Sequence, residues 1–259
     1  MPKLAANLSM MFNEVPFLDR FDAAAQAGFS AVEFLFPYEH PAAELKRRLD
    51  ANGLQQVLFN MPPGDWAAGE RGLAALPGRQ QEFRDNVARA LDYATVLDCP
   101  LIHCMAGIPP AGTHPATAAA LFASNVAWAA EHAHQAGKKL ALEPINHRDM
   151  PGYHLNTMAQ GAAVVDAIGR DRVGLQFDIY HCQTTEGDVT KRMEALFDTI
   201  VHMQIADVPA RHEPGTGEIG WDFIFRHIDA LGYQGWVGCE YRPAGDTVAG
   251  LAWRARFGV

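Results

Sequence analysis

The sequence predicts an α/β fold of the (β/α)8 barrel type, in one domain that spans residues 1–259. Three observations predict it. Amphipathic segments that end at a glycine precede short apolar runs at five places, and three further apolar runs bring the candidate strands to eight. A chain of 259 residues has about the length that eight strand and helix units need. Finally, each candidate strand carries a polar residue near its carboxyl end, where barrels of this type place their sites.

The candidate strands are short runs rich in apolar residues. In chain order they are KLAANLS at 3–9, AVEFLF at 31–36, QQVLFN at 55–60, PLIHCMA at 100–106, KKLALEP at 138–144, RVGLQFD at 172–178, TIVHMQIAD at 199–207 and GWVGCEY at 235–241. Glycine readily adopts the left-handed backbone that ends a helix. The glycines that precede five of the strands therefore predict helix ends at Gly28, Gly53, Gly137, Gly169 and Gly232.

Helical periodicity fills the gaps between the strands. Phe83, Val87 and Leu91 share one face of a predicted helix. The same spacing recurs at 122–129 and 224–231. A doubly wound open sheet is the alternative, but no glycine-rich phosphate-binding turn follows any strand, so the barrel is the favoured prediction.

Composition and charge favour a small-molecule partner over nucleic acid or a membrane. The formal net charge of −9 argues against a nucleic-acid partner, because affinity for phosphates depends on Lys and Arg. No apolar run is long enough to span a bilayer, and the N-terminal sequence lacks the pattern of a signal peptide. The four cysteines form no CxxC pair, which indicates reduced thiols and predicts a cytoplasmic location.

Polar residues end all eight candidate strands. They are Asn7, Glu33, Asn60, His103, Glu143, Asp178, Gln204 and Glu240. A polar residue at one strand end also arises simply because solvent begins there. Eight such groups at one barrel mouth would form a costly cluster of unsatisfied groups unless something bound among them. Four of them, Glu143, Asp178, Gln204 and Glu240, predict an oxygen-ligand metal site that suits Mg²⁺ or Mn²⁺, with zinc as the second choice.

Seven longer motifs resemble one known family. They are AANLSMMF, GFSAVEFLFPY, FNMPPGDWAAGERGLAALPGR, LALEPINHRDMPGYHL, QFDIYH, HMQIADVPARHEPGTGEI and GYQGWVGCEYRP. With them, the chain resembles the hydroxypyruvate isomerase family of xylose-isomerase-like TIM barrels over nearly its whole length. The resemblance implies that Glu143 and Glu240 are the catalytic pair and that these two residues, with Asp178 and Gln204, hold a divalent metal. Related sugar epimerases carry histidine at the position of Gln204, which places the chain with the hydroxypyruvate group.

The reaction that this resemblance implies is an intramolecular oxidation and reduction. Hydroxypyruvate would become 2-hydroxy-3-oxopropanoate (tartronate semialdehyde) by proton transfer between two glutamates through an enediolate, at a metal that stabilises the developing charge. The same resemblance suggests a role in glyoxylate and carbohydrate metabolism.

Further residues are expected to contact the 2-oxo acid substrate. His181 would donate to a substrate oxygen, and Arg211 would bind the substrate carboxylate in a bidentate manner. His103 would orient Glu143 or the substrate, and Asn7 and Asn60 complete the set. Each also has a plainer interpretation, as a hydrogen-bonding loop histidine, a solvated loop arginine or a core histidine.

The segment at 60–79, NMPPGDWAAGERGLAALPGR, is too long for a plain connection. We expect it to form a lid, with Trp66, Glu70 and Arg71 closing over the substrate and excluding water. A packing loop that covers the barrel mouth or meets another subunit is the alternative.

Hydroxypyruvate isomerisation has three alternatives. A 2-oxo-tetronate isomerase or a related sugar-acid isomerase or epimerase would share the catalytic residues and differ in pocket size. A metal-dependent endonuclease should show several histidine ligands and a basic face, and a silent binding protein should lack a catalytic glutamate. Aromatic positions Trp221, Trp236 and Trp253, taken as exposed, are consistent with a homo-oligomer.

Overall fold

The computed structural model describes residues 1–259, and its centre is a closed barrel of eight parallel strands. The strands follow one another in chain order, and the last pairs with the first. They are β1 (Lys3–Asn7), β2 (Ala31–Phe34), β3 (Gln55–Asn60), β4 (Leu101–His103), β5 (Lys139–Leu142), β6 (Val173–Asp178), β7 (Ile200–Ile205) and β8 (Trp236–Cys239). The predicted fold is confirmed.

Helices connect consecutive strands, as parallel pairing requires, and two more helices follow the last strand. They are α1 (Arg20–Gln26), α2 (Ala42–Asn52), α3 (Gln80–Leu97), α4 (Pro115–Gln135), α5 (Met158–Ile168), α6 (Ile179–Thr185), α7 (Val189–Leu196), α8 (Trp221–Ala230), α9 (Thr247–Gly250) and α10 (Trp253–Phe257). None of them is long and apolar enough to cross a membrane.

Residues with positive φ follow the helices as predicted, and further helices end in the same way. All five glycines named above have positive φ; Gly53, for example, follows α2 with φ 61°. After α3 the same conformation is adopted by Asp98, with φ 52°. Aspartate tolerates this backbone less readily than glycine, so the glycine pattern could not predict that helix end.

The apolar faces of the helices pack on the outside of the barrel. Phe83 and Val87 are buried, and Leu91 is partly buried against the same core. The four cysteines are all buried and unpaired. Trp221 and Trp253 are only 1% and 5% exposed, so the prediction that they are exposed is wrong. These indoles are core residues, and the homo-oligomer stays a prediction without that support.

Some predicted strands are longer than the observed ones because their last residues leave the sheet. The run predicted at 100–106 pairs only as β4, and beyond it the backbone oxygen of Ala106 accepts from the N–H of Ala75. The segments after β3 and β4 touch at Gly72 and Gly107. A Cβ on Gly72 would lie 2.3 Å from the oxygen of Met105, and one on Gly107 would lie 2.3 Å from the oxygen of Gly72. Both glycines also have positive φ, so this backbone contact requires them.

Candidate active site

The residues that end the strands are buried together at one end of the barrel. All eight polar residues named in the sequence analysis are at most 5% exposed. Ligand-type atoms of Glu143, Asp178, His181 and Glu240 all lie within 4.8 Å of one another. Three of these four residues were predicted as metal ligands and the fourth as a substrate contact.

The three carboxylates of this cluster repel one another in a desolvated place. Burial, followed by the charges of Glu240 and Asp178, raises the pKa of Glu143 well above its usual value. Burial also raises the pKa of Asp178, against the opposing effect of Arg211, and raises that of Glu240 to about 8. One oxygen of Glu143, Oε1, has no hydrogen-bond partner. The cluster is therefore short of positive charge and of donors.

Arg211 supplies the positive charge that the cluster does have. Its Nη2 donates to Glu240 Oε2 at 2.5 Å and lies 3.5 Å from Asp178 Oδ2, and its guanidinium lies 4.9 Å from the centre of the Tyr180 ring. Burial acts to lower the pKa of Arg211, but the carboxylates outweigh it and raise that pKa overall. The predicted substrate anchor is thus paired with the carboxylates of the protein itself.

The hydrogen bonds of His181 determine which of its ring nitrogens carries the proton. Its Nδ1 accepts from the side-chain amide of Asn146 at 2.6 Å, and the backbone N–H of Asn146 points to the same atom. The Asn146 amide is oriented because its oxygen accepts from the N–H of Asp149. The ring proton of His181 therefore lies on Nε2, which is 3.5 Å from Glu143 Oε1 and from Asp178 Oδ2. Burial lowers the pKa of His181 well below its usual value, so the ring is neutral.

His103 lies on the other side of Glu143. Its Nδ1 is 3.4 Å from Glu143 Oε2 and 3.2 Å from Asn60 Oδ1, while its Nε2 has no partner. Burial, followed by the proximity of His202, lowers the pKa of His103 to about 3. His103 is therefore a neutral residue beside Glu143, a position that fits the predicted orienting role.

A second polar layer lies around Glu33. This carboxylate accepts from Asn7 at 3.0 Å and from Gln204 Nε2 at 2.8 Å, and it lies 2.6 Å from His202 Nε2. Because a carboxylate only accepts, the Gln204 amide nitrogen must face Glu33. The Gln204 oxygen accepts from Gln176 at 2.6 Å, which leaves it one further lone pair. The ligand role of Gln204 stays a prediction.

One side chain organises the loop that carries Arg211. The Asp207 carboxylate accepts from the backbone N–H groups of Val208, Gly215, Gly217 and Ile219 and from the indole of Trp221, at 2.9 to 3.1 Å. The backbone N–H of Arg211 donates to the oxygen of Asp207 at 2.9 Å. Arg211 itself has the left-handed φ of 59°. The loop geometry thus places the guanidinium over the carboxylates.

A cavity of about 630 Å³ opens above the cluster. Of the predicted site residues, those that line it are Asn60, Trp66, Arg71, Glu143, His181, Arg211 and Glu240. Asn7, His103, Asp178 and Gln204 lie beneath the lining. Trp66 is 40% exposed, with the Arg71 guanidinium 3.8 Å from the centre of its ring. Glu70 points elsewhere: it pairs with Arg79 at 2.5 Å and accepts from the N–H of Asp65, which is a role inside the loop.

Several residues of the cavity wall and of the loop that supports it were not predicted from the sequence. Tyr180 and Arg148 line the cavity, and Asp207 holds the adjoining loop. Arg242 also lines it, two residues after Glu240 in the motif GCEYRP. Its position just beyond the end of a predicted strand could have identified it as a candidate site residue. For Asp207 the only signal was its position at the end of a predicted strand that is followed by a glycine-rich loop.

Comparisons with known proteins agree with this geometry. The sequence model of the family described as "Xylose isomerase-like TIM barrel" matches residues 21–257. Over 253 residues, 98% of this chain and 97% of the relative, the chain is 56% identical to the 2-oxo-tetronate isomerase of Cupriavidus necator. It is 48% identical to the hydroxypyruvate isomerase of Escherichia coli strain K12, over 98% of each chain.

Solved structures share the fold. A protein from Brucella melitensis described as an AP endonuclease, family 2, superimposes with a TM-score of 0.96 at 50% identity, over 99% of both chains. A D-psicose 3-epimerase has a TM-score of 0.80 at 18% identity over 100% of both chains, which shows a shared fold. The family match covers most of the chain, and the curated relatives match it nearly end to end. The chain therefore belongs to the xylose isomerase-like TIM barrel family.

Proposed function

We propose that this protein is an isomerase that interconverts hydroxypyruvate and 2-hydroxy-3-oxopropanoate. The observation that carries the proposal is the pair Glu143 and Glu240, two buried glutamates with raised pKa values that face one cavity. Glu240, with a pKa raised to about 8, can both accept and return a proton near neutral pH, and the raised pKa of Glu143 also favours its protonated form. The identity with the Escherichia coli hydroxypyruvate isomerase supports the choice of substrate.

The proposed reaction moves a carbonyl group by one carbon. One glutamate removes a proton from the hydroxymethyl carbon, and the electron pair forms a carbon–carbon double bond while the former carbonyl oxygen becomes anionic. The other glutamate delivers a proton to the former carbonyl carbon, and the two substrate oxygens exchange a proton, so that the new carbonyl lies on the former hydroxymethyl carbon. The Nε2–H of His181, which lies between two of the carboxylates, is placed to donate to a substrate oxygen.

The donor set also fits a divalent metal ion. Three buried carboxylates and the unpaired Oε1 of Glu143 form an oxygen-rich group that only one guanidinium neutralises. Glu143, Asp178 and Glu240 would hold the ion, with Gln204 as the proposed fourth ligand. Mg²⁺ or Mn²⁺ is the proposed ion because both prefer oxygen ligands. Such an ion supplies, when bound, positive charge that stabilises an enediolate.

The lid, the pathway and the cellular location are proposed from the sequence. We retain the lid role for Trp66 and Arg71, which line the cavity, whereas the contacts of Glu70 support a structural role in the same loop. A place in glyoxylate and carbohydrate metabolism and a cytoplasmic location also remain predictions.

A specific observation favours a second candidate, 2-oxo-tetronate isomerisation. The identity with the Cupriavidus necator 2-oxo-tetronate isomerase is 56%, against 48% for the hydroxypyruvate isomerase. The four-carbon acid differs from hydroxypyruvate by a hydroxymethyl group in place of one hydrogen on the carbon that loses the proton. A cavity of about 630 Å³ has room for either acid. The same two glutamates would perform the same proton transfer.

Endonuclease chemistry has less support, although the Brucella melitensis protein is described in those words. The cluster contains one histidine, His181, whose Nε2 carries its proton, and the chain has a net charge of −9. A nuclease of this fold needs nitrogen ligands for a zinc cluster and a basic face for phosphates.

The test is isomerisation followed by NMR in D₂O with added Mg²⁺ or Mn²⁺. We expect 2-hydroxy-3-oxopropanoate with deuterium from the solvent, and a loss of at least about 100-fold in rate for Glu143→Gln and for Glu240→Gln. The matched control is Glu39→Gln, a change at an exposed residue. Turnover of 2-oxo-tetronate but not hydroxypyruvate would select the second candidate. Turnover of neither acid would reject the proposal.

A further inference from the structure

We infer that Arg242 is the residue that binds the carboxylate of the substrate. The inference rests on the proposed function, in which the substrate is a 2-oxo acid. Its carboxylate is bonded directly to the carbonyl carbon at which the glutamates act. The group that binds this carboxylate should therefore lie in the cavity near Glu143 and Glu240, and a guanidinium is the side chain that binds a carboxylate most strongly.

Four arginines line the cavity, and three of them are engaged by the protein. Arg211 contacts Glu240 at 2.5 Å, Asp178 at 3.5 Å and Asp149 at 3.8 Å. Arg148 donates to the hydroxyl of Tyr180 at 2.9 Å and lies 3.7 Å from Asp149. Arg71 donates to the backbone oxygens of Glu70 and Trp66 at 2.7 and 3.0 Å.

Arg242 differs from these three because its side chain is free. The residue is exposed and lines the cavity, and its guanidinium makes no hydrogen bond or ion pair. Its backbone, in contrast, is held: the N–H donates to the oxygen of Arg211 at 2.8 Å, and the oxygen lies 2.7 Å from His212 Nδ1. The base of the side chain is therefore fixed to the loop that carries Arg211, while all five N–H donors remain available.

Charge also favours Arg242 over Arg211. A substrate carboxylate placed on Arg211 would lie against Glu240 and Asp178, and like charges at such distances repel strongly in a desolvated site. The Arg242 guanidinium forms no ion pair with a carboxylate of the protein, so two of its N–H groups are available to bind the two oxygens of the substrate carboxylate.

The position of Arg242 along the chain suits this role. It follows Glu240 by two residues just beyond β8, a separation of about 7 Å if the segment is extended. The arginine side chain that starts there is long, and the residue lines the cavity that contains Glu240. Glu240 would act on the carbon skeleton, and Arg242 would fix the end of the molecule that carries the negative charge.

The experiment compares a charged substrate with a neutral one. Dihydroxyacetone has the same hydroxymethyl and carbonyl groups as hydroxypyruvate but a hydroxymethyl group in place of the carboxylate. For Arg242→Gln we expect KM for hydroxypyruvate to rise about 10- to 100-fold, with a smaller change in kcat, because a charge-assisted hydrogen-bonded pair is lost. The kcat/KM for dihydroxyacetone should be unchanged. Arg242→Lys should recover part of the loss, since it keeps the charge but not the fork.

The matched control is Arg226→Gln, on the exposed face of α8, where the guanidinium pairs with Asp222. Binding of pyruvate, measured directly by saturation-transfer NMR, should weaken in Arg242→Gln and not in the control. An unchanged KM for hydroxypyruvate and unchanged pyruvate binding would overturn the assignment to Arg242. If the wild-type protein turned over no 2-oxo acid, the proposed function would fail, and the pyruvate titration would still decide whether Arg242 binds a 2-oxo carboxylate.

Discussion

At the scale of single residues, a buried carboxyl group of the site lowers the stability of the fold. Glu143 is 4% exposed, its Oε1 has no donor, and its nearest acidic neighbours are Glu240 and Asp178. Its pKa is raised in the folded state, so the unfolded chain ionises this carboxyl more readily at pH 7, and this difference costs folding free energy. That cost is fully present above the raised pKa and disappears as the pH falls below the value in the unfolded chain.

We therefore expect Glu143→Gln to stabilise the metal-free protein while removing its activity. Glutamine keeps the shape and removes the buried charge, so the free energy of unfolding should rise by about 0.5–2 kcal/mol. The measurement is urea unfolding at pH 7 in the presence of a chelator, followed by circular dichroism. Glu39→Gln, an exposed change, should leave the free energy of unfolding unchanged. A less stable Glu143→Gln protein would contradict this account.

Residue types at strand ends were predictable, whereas their partners were not. Glu143, Asp178 and Glu240 were recognisable because each ends an apolar run, and parallel strands bring such ends together. The pairing of Arg211 with Glu240 depends on a left-handed residue in a loop and on contacts between two separate loops. Neither leaves a periodic pattern, so this ion pair could not be predicted from the sequence, and the contact of Arg211 with the substrate stays a prediction.

At the scale of elements, the loop between β7 and α8 is built on one carboxylate. Asp207 accepts five hydrogen bonds from this loop and from the first residue of α8. Gly217 approaches so closely that a Cβ there would lie 1.9 Å from the oxygen of Val208. The loop therefore has little freedom to shift, and the position of Arg211 follows from it.

Asp207→Asn should lower both the stability of the fold and the activity, although it changes only one atom of the side chain from oxygen to nitrogen. The amide replaces one accepting oxygen by an NH₂ group that faces N–H donors, so buried donors lose their acceptor. We expect a loss of about 2–4 kcal/mol in the free energy of unfolding and a lower kcat/KM, because Arg211 is no longer held over the carboxylates. Asp222→Asn on α8, where the side chain is 65% exposed, is the control for chemical denaturation and steady-state kinetics. Equal effects of the two changes would show that Asp207 does not organise the loop.

At the scale of the whole molecule, strand ends from the second half of the barrel meet in one cluster. Glu143, Asp178 and Glu240 follow or end β5, β6 and β8, so an ion bound to them would join three distant parts of the chain. Binding to the folded state alone stabilises it by RT ln(1 + [L]/Kd), which is about 2.7 kcal/mol at one hundred times Kd.

Mn²⁺ should therefore raise the Tm of the wild-type protein and not that of Asp178→Asn. The exposed change Asp92→Asn serves as the control and should respond like the wild type. Thermal unfolding with a titration of Mn²⁺ at constant ionic strength provides the measurement. A Tm that rises equally in all three proteins would mean that the ion binds outside this cluster.

The architecture as a whole was well predicted from the sequence, because the alternation of apolar runs and helical periods repeats along the chain. The packing of side chains between segments that are distant in the chain was harder to predict. Trp221 and Trp253 appeared exposed and are core residues, because α8 and α10 pack against each other around Phe225. A contact of this kind depends on how the C-terminal helices fold back, which no local pattern reveals.

The contact between Gly72 and Gly107 bears on how such barrels can be recombined. The two backbones meet without room for a side chain, so the segments after β3 and β4 form one complementary surface. A chimera that took residues 61–79 from a relative but kept the native segment after β4 would mismatch that surface. Engineering of this rim, whether by transfer from a relative or by randomisation in a library, should therefore change both segments together.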